Sequence, residues 1–213
     1  ENLGVAAAGI NDRSPHEVTE ILKRLAKVVS LPIIVQPDAG APRISQGKLL
    51  AEEYTVAAHL YGEYVSSFVK LGANIIGLRY FNIFGEGQTI DYAGVITKFI
   101  DRIKDKKEPI IFGDGKQIRD FIYVEDIVKF NLLAMNSQES NLLVNVGTGE
   151  SMSILELAEM MIRISGLNIQ PIFEKPLEGD VIKSQADTSI LDSVFKWKAE
   201  SKLEDWLEIT FFK

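Results

Sequence analysis

Cysteine is absent from this chain, and histidine occurs only twice. Without thiols there is no disulfide, no thiolate nucleophile and no cysteine-based metal site. Long apolar runs are missing too. No stretch approaches the roughly 20 residues needed to cross a bilayer, so no membrane span is expected. Positive charge is in short supply. Lys and Arg total 23 against 30 Asp and Glu, a formal net charge of −7. That argues against nucleic acid as a partner, because phosphate binding wants clustered cations. No secretory signal is visible, although the chain opens on Glu1 rather than Met. A cytoplasmic setting is compatible with these absences. What is present is an ordinary globular composition, 46% apolar and 25% charged over 213 residues. This suits one domain, or a domain with a small appendage.

Strand and helix signals alternate along the chain. Gly4 to Ile10 is a short small-apolar run that reads as a buried parallel strand. Ser14, Pro15 and Glu17 form a helix start with a capping box. Pro32 to Gln36 predicts a second strand, and residues 48–71 a long helix with Gly72 at its C-terminal cap. A third strand is predicted over residues 74–83. Downstream, the pattern predicts a helix over Val95–Ile103 and strands at 109–112, 121–124, 142–146 and 169–173. Ser153 and Glu156 make a second capping box, and Gly166 stops that helix. Strand, helix, strand, helix, strand favours right-handed parallel crossovers. The expected fold is α/β: a mainly parallel three-layer Rossmann-like sheet with a small C-terminal α/β substrate lobe.

Six ordered motifs run from Leu78 onward. They are Arg79-Tyr80-Phe81-Asn82-Ile83-Phe84-Gly85, the stretch Ile111 to Asp126, Asn145 to Gly149, Gly179-Asp180, Ala186-Asp187 and Trp197-Lys198. In this order they resemble the C-terminal portion of an extended short-chain dehydrogenase/reductase of the nucleotide-sugar epimerase/dehydratase family. The resemblance implies substrate-binding roles for Asn82, Ile111, Phe112, Arg119 and Tyr123. Asn82 would contact the nucleotide-sugar through an amide that donates and accepts. Arg119 would hold the diphosphate through its planar fork. Ile111 and Phe112 would line the base pocket, and Tyr123 would help shape the site beside the arginine. Other readings stay open. Arg119 could be a structural ion pair, and Ile111 and Phe112 plain core. Gly147-Thr148-Gly149 reads as a turn rather than a phosphate cradle.

The chain also departs from that family. An arginine expected before Gly179-Asp180 is replaced by Leu177, with Glu178 beside it. No Gly-x-Gly-x-x-Gly turn is present to hold a pyrophosphate. Lys48 resembles the family's catalytic lysine, but the position four before it is Ile44, which has no proton to give. No catalytic residue and no bound cofactor are therefore expected, and NAD is implied by the resemblance alone.

Residues 1–77 carry a different resemblance. Gly9-Ile10-Asn11, Leu31 to Gly40 and Glu63 to Gly77 resemble the last β/α units of the homocysteine S-methyltransferase barrel linked to cobalamin. That family's reaction implies zinc on three cysteines. Here Asp12, Leu78 and Arg79 stand at the implied ligand positions, so no metal is expected. Asp12, His16 and Asp38 are better read as loop and helix-surface residues than as a substitute site.

The two resemblances meet near Gly77–Leu78. They divide the chain into a barrel-derived βαβαβ segment, 1–77, and an epimerase-like portion, 78–213. The leading expectation is a recombined or engineered chimera without turnover that keeps nucleotide-sugar binding. The alternative is an NAD-dependent nucleotide-sugar epimerase or dehydratase, truncated or completed by a partner. A methyltransferase is disfavoured by the missing cysteines. The helix at 48–71 matches a dimer helix in the dehydrogenase family, which implies a homodimer.

Overall fold

The computed structural model describes residues 8–13, 20, 24, 33–37, 44–45, 48–49, 75–88 and 94–212. The chain divides into two compact units. One holds residues 1–75 with 139–141, and the other holds 76–138 with 142–213.

In the first unit, β1 (Ala8–Arg13) pairs in parallel with β2 (Ile33–Pro37) as a two-stranded sheet. Glu20 and Arg24 are helical. β3 (Ile44–Ser45) pairs antiparallel with β4 (Lys48–Leu49). This corrects the expected helix at its start, since Lys48 and Leu49 are extended. Pairing with Ile44 and Ser45 is the reason, because an antiparallel ladder holds both of its strands extended. The capping box at Ser14 and the rest of the 48–71 helix, with the dimer contact it implied, lie outside the described residues.

The second unit is built from parallel strand pairs with helices packed on them. β5 (Ile76–Tyr80) pairs with β10 (Leu142–Val146). β6 (Asn82–Phe84) pairs with β9 (Phe121–Tyr123), and β7 (Ile110–Phe112) with β12 (Ile172–Glu174). β8 (Ile118–Arg119) sits between antiparallel β11 (Met152–Ser153) and parallel β13 (Lys183–Ser184). The single strand expected over 74–83 is two strands. At Phe81 the chain changes partner: Phe81 N–H donates to Val146 O at 3.1 Å, and Asn82 N–H to Asp120 O at 3.0 Å. Asn82 thus stands where β5 hands over to β6, a place where ligands meet parallel sheets.

Four helices follow the apolar spacing. α1 (Val95–Lys104) buries Ile96, Phe99, Ile100 and Ile103. α2 (Val124–Met135) buries Ile127, Phe130 and Ala134. α3 (Ile154–Ser165) opens on the expected capping box. Ser153 Oγ accepts from Glu156 N–H at 3.1 Å, and Glu156 Oε2 accepts from Ser153 N–H at 2.8 Å. It stops at Gly166, whose φ of 69° is the left-handed conformation glycine adopts without a Cβ penalty. A π-helical turn (Leu191–Phe195) and α4 (Leu203–Phe212) close the chain. One core gathers α1, α3 and α4 over Phe84 and Ile111. The other packs α2 and Leu191 on Ile122, Val144 and Val146.

Asp126 ties the start of α2 to the chain before α4. Its buried carboxylate accepts from the N–H groups of Glu200 (3.1 Å) and Ser201 (2.8 Å) and from Lys129 Nζ (3.2 Å). Burial alone would push this carboxyl up. The Ser201 and Lys129 bonds outweigh it together and hold the group below the usual carboxylate range. A carboxyl whose folded pKa is depressed stabilises the fold above its unfolded value, about 3.9, and stops doing so as pH falls through the folded value. Asp126→Asn is therefore expected to cost stability at pH 7, and the gap to wild type should narrow below about pH 4. Thermal melts from pH 7 to pH 3 measure this, and a gap independent of pH would refute it.

Candidate functional site

The start of the Ile111–Asp126 motif, from Phe112 to Gln117, lines the candidate site. An open cleft of about 950 Å³ lies beside β7. Its apolar wall is Phe112, Phe173, Pro176, Leu177 and Ile182. Its polar groups are Asp114, Lys116, Gln117, Glu174 and Asp180. Gln117 Nε2 donates to Phe112 O at 2.8 Å, which fixes the turn under the cleft. Gly113 lets that turn form at φ 82°, with its N–H on Glu174 O.

Phe112 lines this cleft, whereas Ile111 does not. Ile111 is 0% exposed and belongs to the core with Phe84 and Leu157. Neighbouring residues on a strand point to opposite faces, so only one of the pair can face the cleft. Of the two residues expected to line a base pocket, Phe112 alone lines this cleft with its side chain.

Arg119 does not line the cleft but is held by the segment that walls it. One terminal nitrogen donates to Ile118 O (2.8 Å) and Val181 O (2.6 Å), and the other to Asp180 Oδ1 (2.5 Å). The Arg119 side chain is 14% exposed and Asp180 31%. Its ion pair is therefore with Asp180, not with the acid next to it in sequence.

That next residue, Asp120, is fully buried. Its carboxylate accepts from Thr148 N–H (2.9 Å), Thr148 Oγ1 (2.7 Å), Gly149 N–H (2.9 Å) and Ala186 N–H (3.1 Å). The glycine-flanked turn after β10 is thus a cradle already filled by the chain's own carboxylate. Asn82 leans on the same residue, its Nδ2 donating to Asp120 O at 3.0 Å. This commits one side of the amide and leaves its oxygen for other partners.

Tyr123 is placed differently from expectation. It caps α2, and its ring packs 5.4 Å from Phe84 and 6.5 Å from Trp206. The aromatic cluster, not the guanidinium, is its neighbourhood. The structure therefore links Phe112 to Asp180 through Gln117 and Asp180 to Arg119, places Asn82 beside Asp120, buries Ile111 and packs the Tyr123 ring on Phe84 and Trp206. Asp180 and the Phe173–Ile182 wall were not singled out as site residues in the sequence. The Gly179-Asp180 motif was their one signal.

Asp12 lies in β1, and His16 and Asp38 lie outside the described residues. Among the described residues no cluster of His, Asp and Glu could hold a metal ion, and no helix is long and apolar enough to cross a membrane.

The parallel pairs, flanking helices and site at a strand switch define a Rossmann-like α/β protein. Comparison with known proteins adds the next level. Residues 45–147 match the NAD dependent epimerase/dehydratase family, and residues 1–77 match homocysteine S-methyltransferase. A putative UDP-glucose 4-epimerase from Methanocaldococcus jannaschii is 38% identical over 157 residues, covering 73% of this chain and 50% of that protein. A UDP-glucuronate 4-epimerase from Thermodesulfobacterium geofontis is 30% identical over 140 residues, covering 65% and 42%. Among solved structures, UDP-glucose 4-epimerase from Thermotoga maritima with UDP-glucose superposes with a TM-score of 0.74 at 25% identity, covering 93% of this chain and 71% of that one. UDP-glucuronic acid 4-epimerase from Bacillus cereus, in complex with UDP-glucuronic acid and NAD, gives 0.73 at 25% identity, covering 93% and 66%. The chain is epimerase/dehydratase-like, and it spans about half the length of the curated relatives it matches.

Proposed function

We propose that this chain carries the substrate-side portion of an NAD-dependent nucleotide-sugar epimerase/dehydratase, and that its cleft binds a UDP-sugar. The observation that carries this reading is that Phe112 and Asp180 line one cleft, and that Asp180 is ion-paired with Arg119 behind it. Phe112 presents an apolar face to a base. Arg119 offers a planar fork to a diphosphate. Asn82, at the strand switch, keeps an acceptor for a sugar or ribose hydroxyl. Relatives that bind UDP-sugars support the substrate class.

Among the described residues, the N–H groups of the turn after β10 are engaged by Asp120 and offer no cradle for a pyrophosphate. Lys48 lies in β4, opposite Ser45, with Ile44 at the position where a proton donor would be needed. These observations favour a second reading, a chimera of the two matched families that binds nucleotide-sugar without turnover. Titration with NAD tests the chimera. Binding at micromolar NAD, followed by reduction on adding UDP-glucose, supports the enzyme and refutes a chimera without turnover. No binding at millimolar NAD is expected of the substrate-side portion and of the chimera alike.

Both readings share one expectation. Arg119→Ala should weaken UDP-glucose binding by about tenfold to a hundredfold, because charge-assisted hydrogen bonds to a diphosphate are lost. Calorimetry with wild type and variant measures this. Unchanged affinity would remove Arg119 from the site.

A further inference from the structure

We propose that Asp180 is the resident counter-ion of Arg119, and that a nucleoside diphosphate binds by exchanging with it. This rests on the nucleotide-sugar reading above and adds to it a gate on the arginine.

The argument starts from how Arg119 is held. Its side chain is 14% exposed, and the segment from Pro176 to Ile182 walls the cleft on one side. Within that segment Asp180 binds one terminal nitrogen and the Val181 carbonyl the other. The arginine fork is thus directed at its own cleft wall. A diphosphate entering from the cleft meets Asp180 first, since Asp180 lines the cleft and Arg119 stands behind it. Two anions cannot share the same donor without repulsion. The carboxylate must move for a phosphate oxygen to take its place.

Two features make that exchange feasible. Asp180 is the more exposed partner, so it can turn toward water. Gln117 Nε2 lies 3.4 Å from its other oxygen and can keep it partnered. The segment itself is exposed, with Ile182 at 82%, and nothing buried moves with it. The cleft is also short of free cation. Lys116 lies 3.5 Å from Asp114, while Glu174 adds a further negative charge. Arg119 is therefore the group best placed to hold a diphosphate, and Asp180 sets what fraction of its strength a ligand sees.

The test is calorimetry of the full chain with UDP and with uridine, on wild type, Asp180→Asn and Glu174→Gln. Asp180→Asn is expected to bind UDP about fivefold more tightly, the effect of releasing one half-exposed ion pair. Uridine should bind it unchanged, because uridine has no phosphate to take the arginine. Glu174→Gln removes the same charge without releasing Arg119 and should change UDP affinity less than about twofold. Several results would overturn the proposal. Equal or weaker UDP binding by Asp180→Asn would make Asp180 a ligand contact instead. An equal gain in Glu174→Gln would reduce the effect to cleft charge, and a gain for uridine would sever it from the diphosphate. If neither wild type nor Asp180→Asn binds UDP, the nucleotide-sugar reading falls and this inference with it. Asp180→Ser is the substitute should Asp180→Asn not fold.

Discussion

Asp120→Ala is expected to lower the melting temperature by about 10 °C or more, the largest effect of any single change in the second unit. The residue is fully buried, and its two oxygens accept from three backbone N–H groups and one hydroxyl. Truncation leaves the three N–H groups without an acceptor, while the Thr148 hydroxyl keeps Glu150 O at 3.2 Å. Each stranded donor costs on the order of 1–3 kcal/mol. Their sum passes about 4 kcal/mol, where substitutions become exceptional. Asp120→Asn should come close to the same loss. An amide brings one accepting oxygen and sets an NH2 against donors that already point at it. Denaturant and thermal unfolding of both variants give the result. A loss under about 1 kcal/mol would show that the donors find water or other acceptors.

Gly147→Ala is expected to be nearly as damaging, for a linked reason. A Cβ at this position would lie 2.6 Å from Ala186 Cβ and 2.8 Å from Asp120 Oδ2. Both neighbours are buried, and neither is the loose end of a long side chain. Over-packing of this kind costs roughly 1–3 kcal/mol by itself. Here the added methyl also displaces the carboxylate that gathers the turn, so the loss should lie at or above the top of that range. The two substitutions should not add. In Gly147→Ala/Asp120→Ala the clash with the carboxylate is gone, and the double variant should be more stable than the sum of the single losses predicts by at least about 0.5 kcal/mol. Additivity within that margin would mean that Gly147 acts through Ala186 alone.

Much of the second unit was legible from the sequence. The spacing of Ile96, Phe99 and Ile103 predicts α1, and Ser153 with Glu156 predicts both the start of α3 and the bonds that cap it. These signals are local, since a helix face and a capping box are written within four residues of one another. The start assigned to the 48–71 helix was not legible. An apolar stripe beginning near Lys48 is compatible with a helix, but pairing with Ile44–Ser45 makes Lys48–Leu49 extended. The break at Phe81 was hidden for a similar reason. Residues 76–84 are uniformly suited to extended chain, and only the partners offered by Val146 and Asp120 divide them into two strands.

The candidate site was readable as a set of residues and not as an arrangement. Motif order brought out Asn82, Phe112 and Arg119, and the structure places Asn82 at a strand switch, Phe112 on a cleft and Arg119 against Asp180 of that cleft's wall. It could not say that Ile111 faces the core, because the phase of a two-residue alternation depends on which side of β7 the helices α1 and α3 cover. Nor could it say that Tyr123 joins Phe84 and Trp206, since Trp206 arrives from the far end of the chain.

By itself, the sequence determined the absence of thiol chemistry, the α/β class, the capping box of α3 and its stop at Gly166. Each follows from residue type or from spacing within a few positions. Tertiary structure decided what Arg119 and its neighbour hold. Arg119 and Asp120 are adjacent in sequence, yet their partners Asp180 and Ala186 lie 61 and 66 residues further on. Successive side chains of an extended segment point to opposite sides. One meets the exposed wall of a cleft and the other a buried turn, and only the packing of the later chain against β8 brings each its partner.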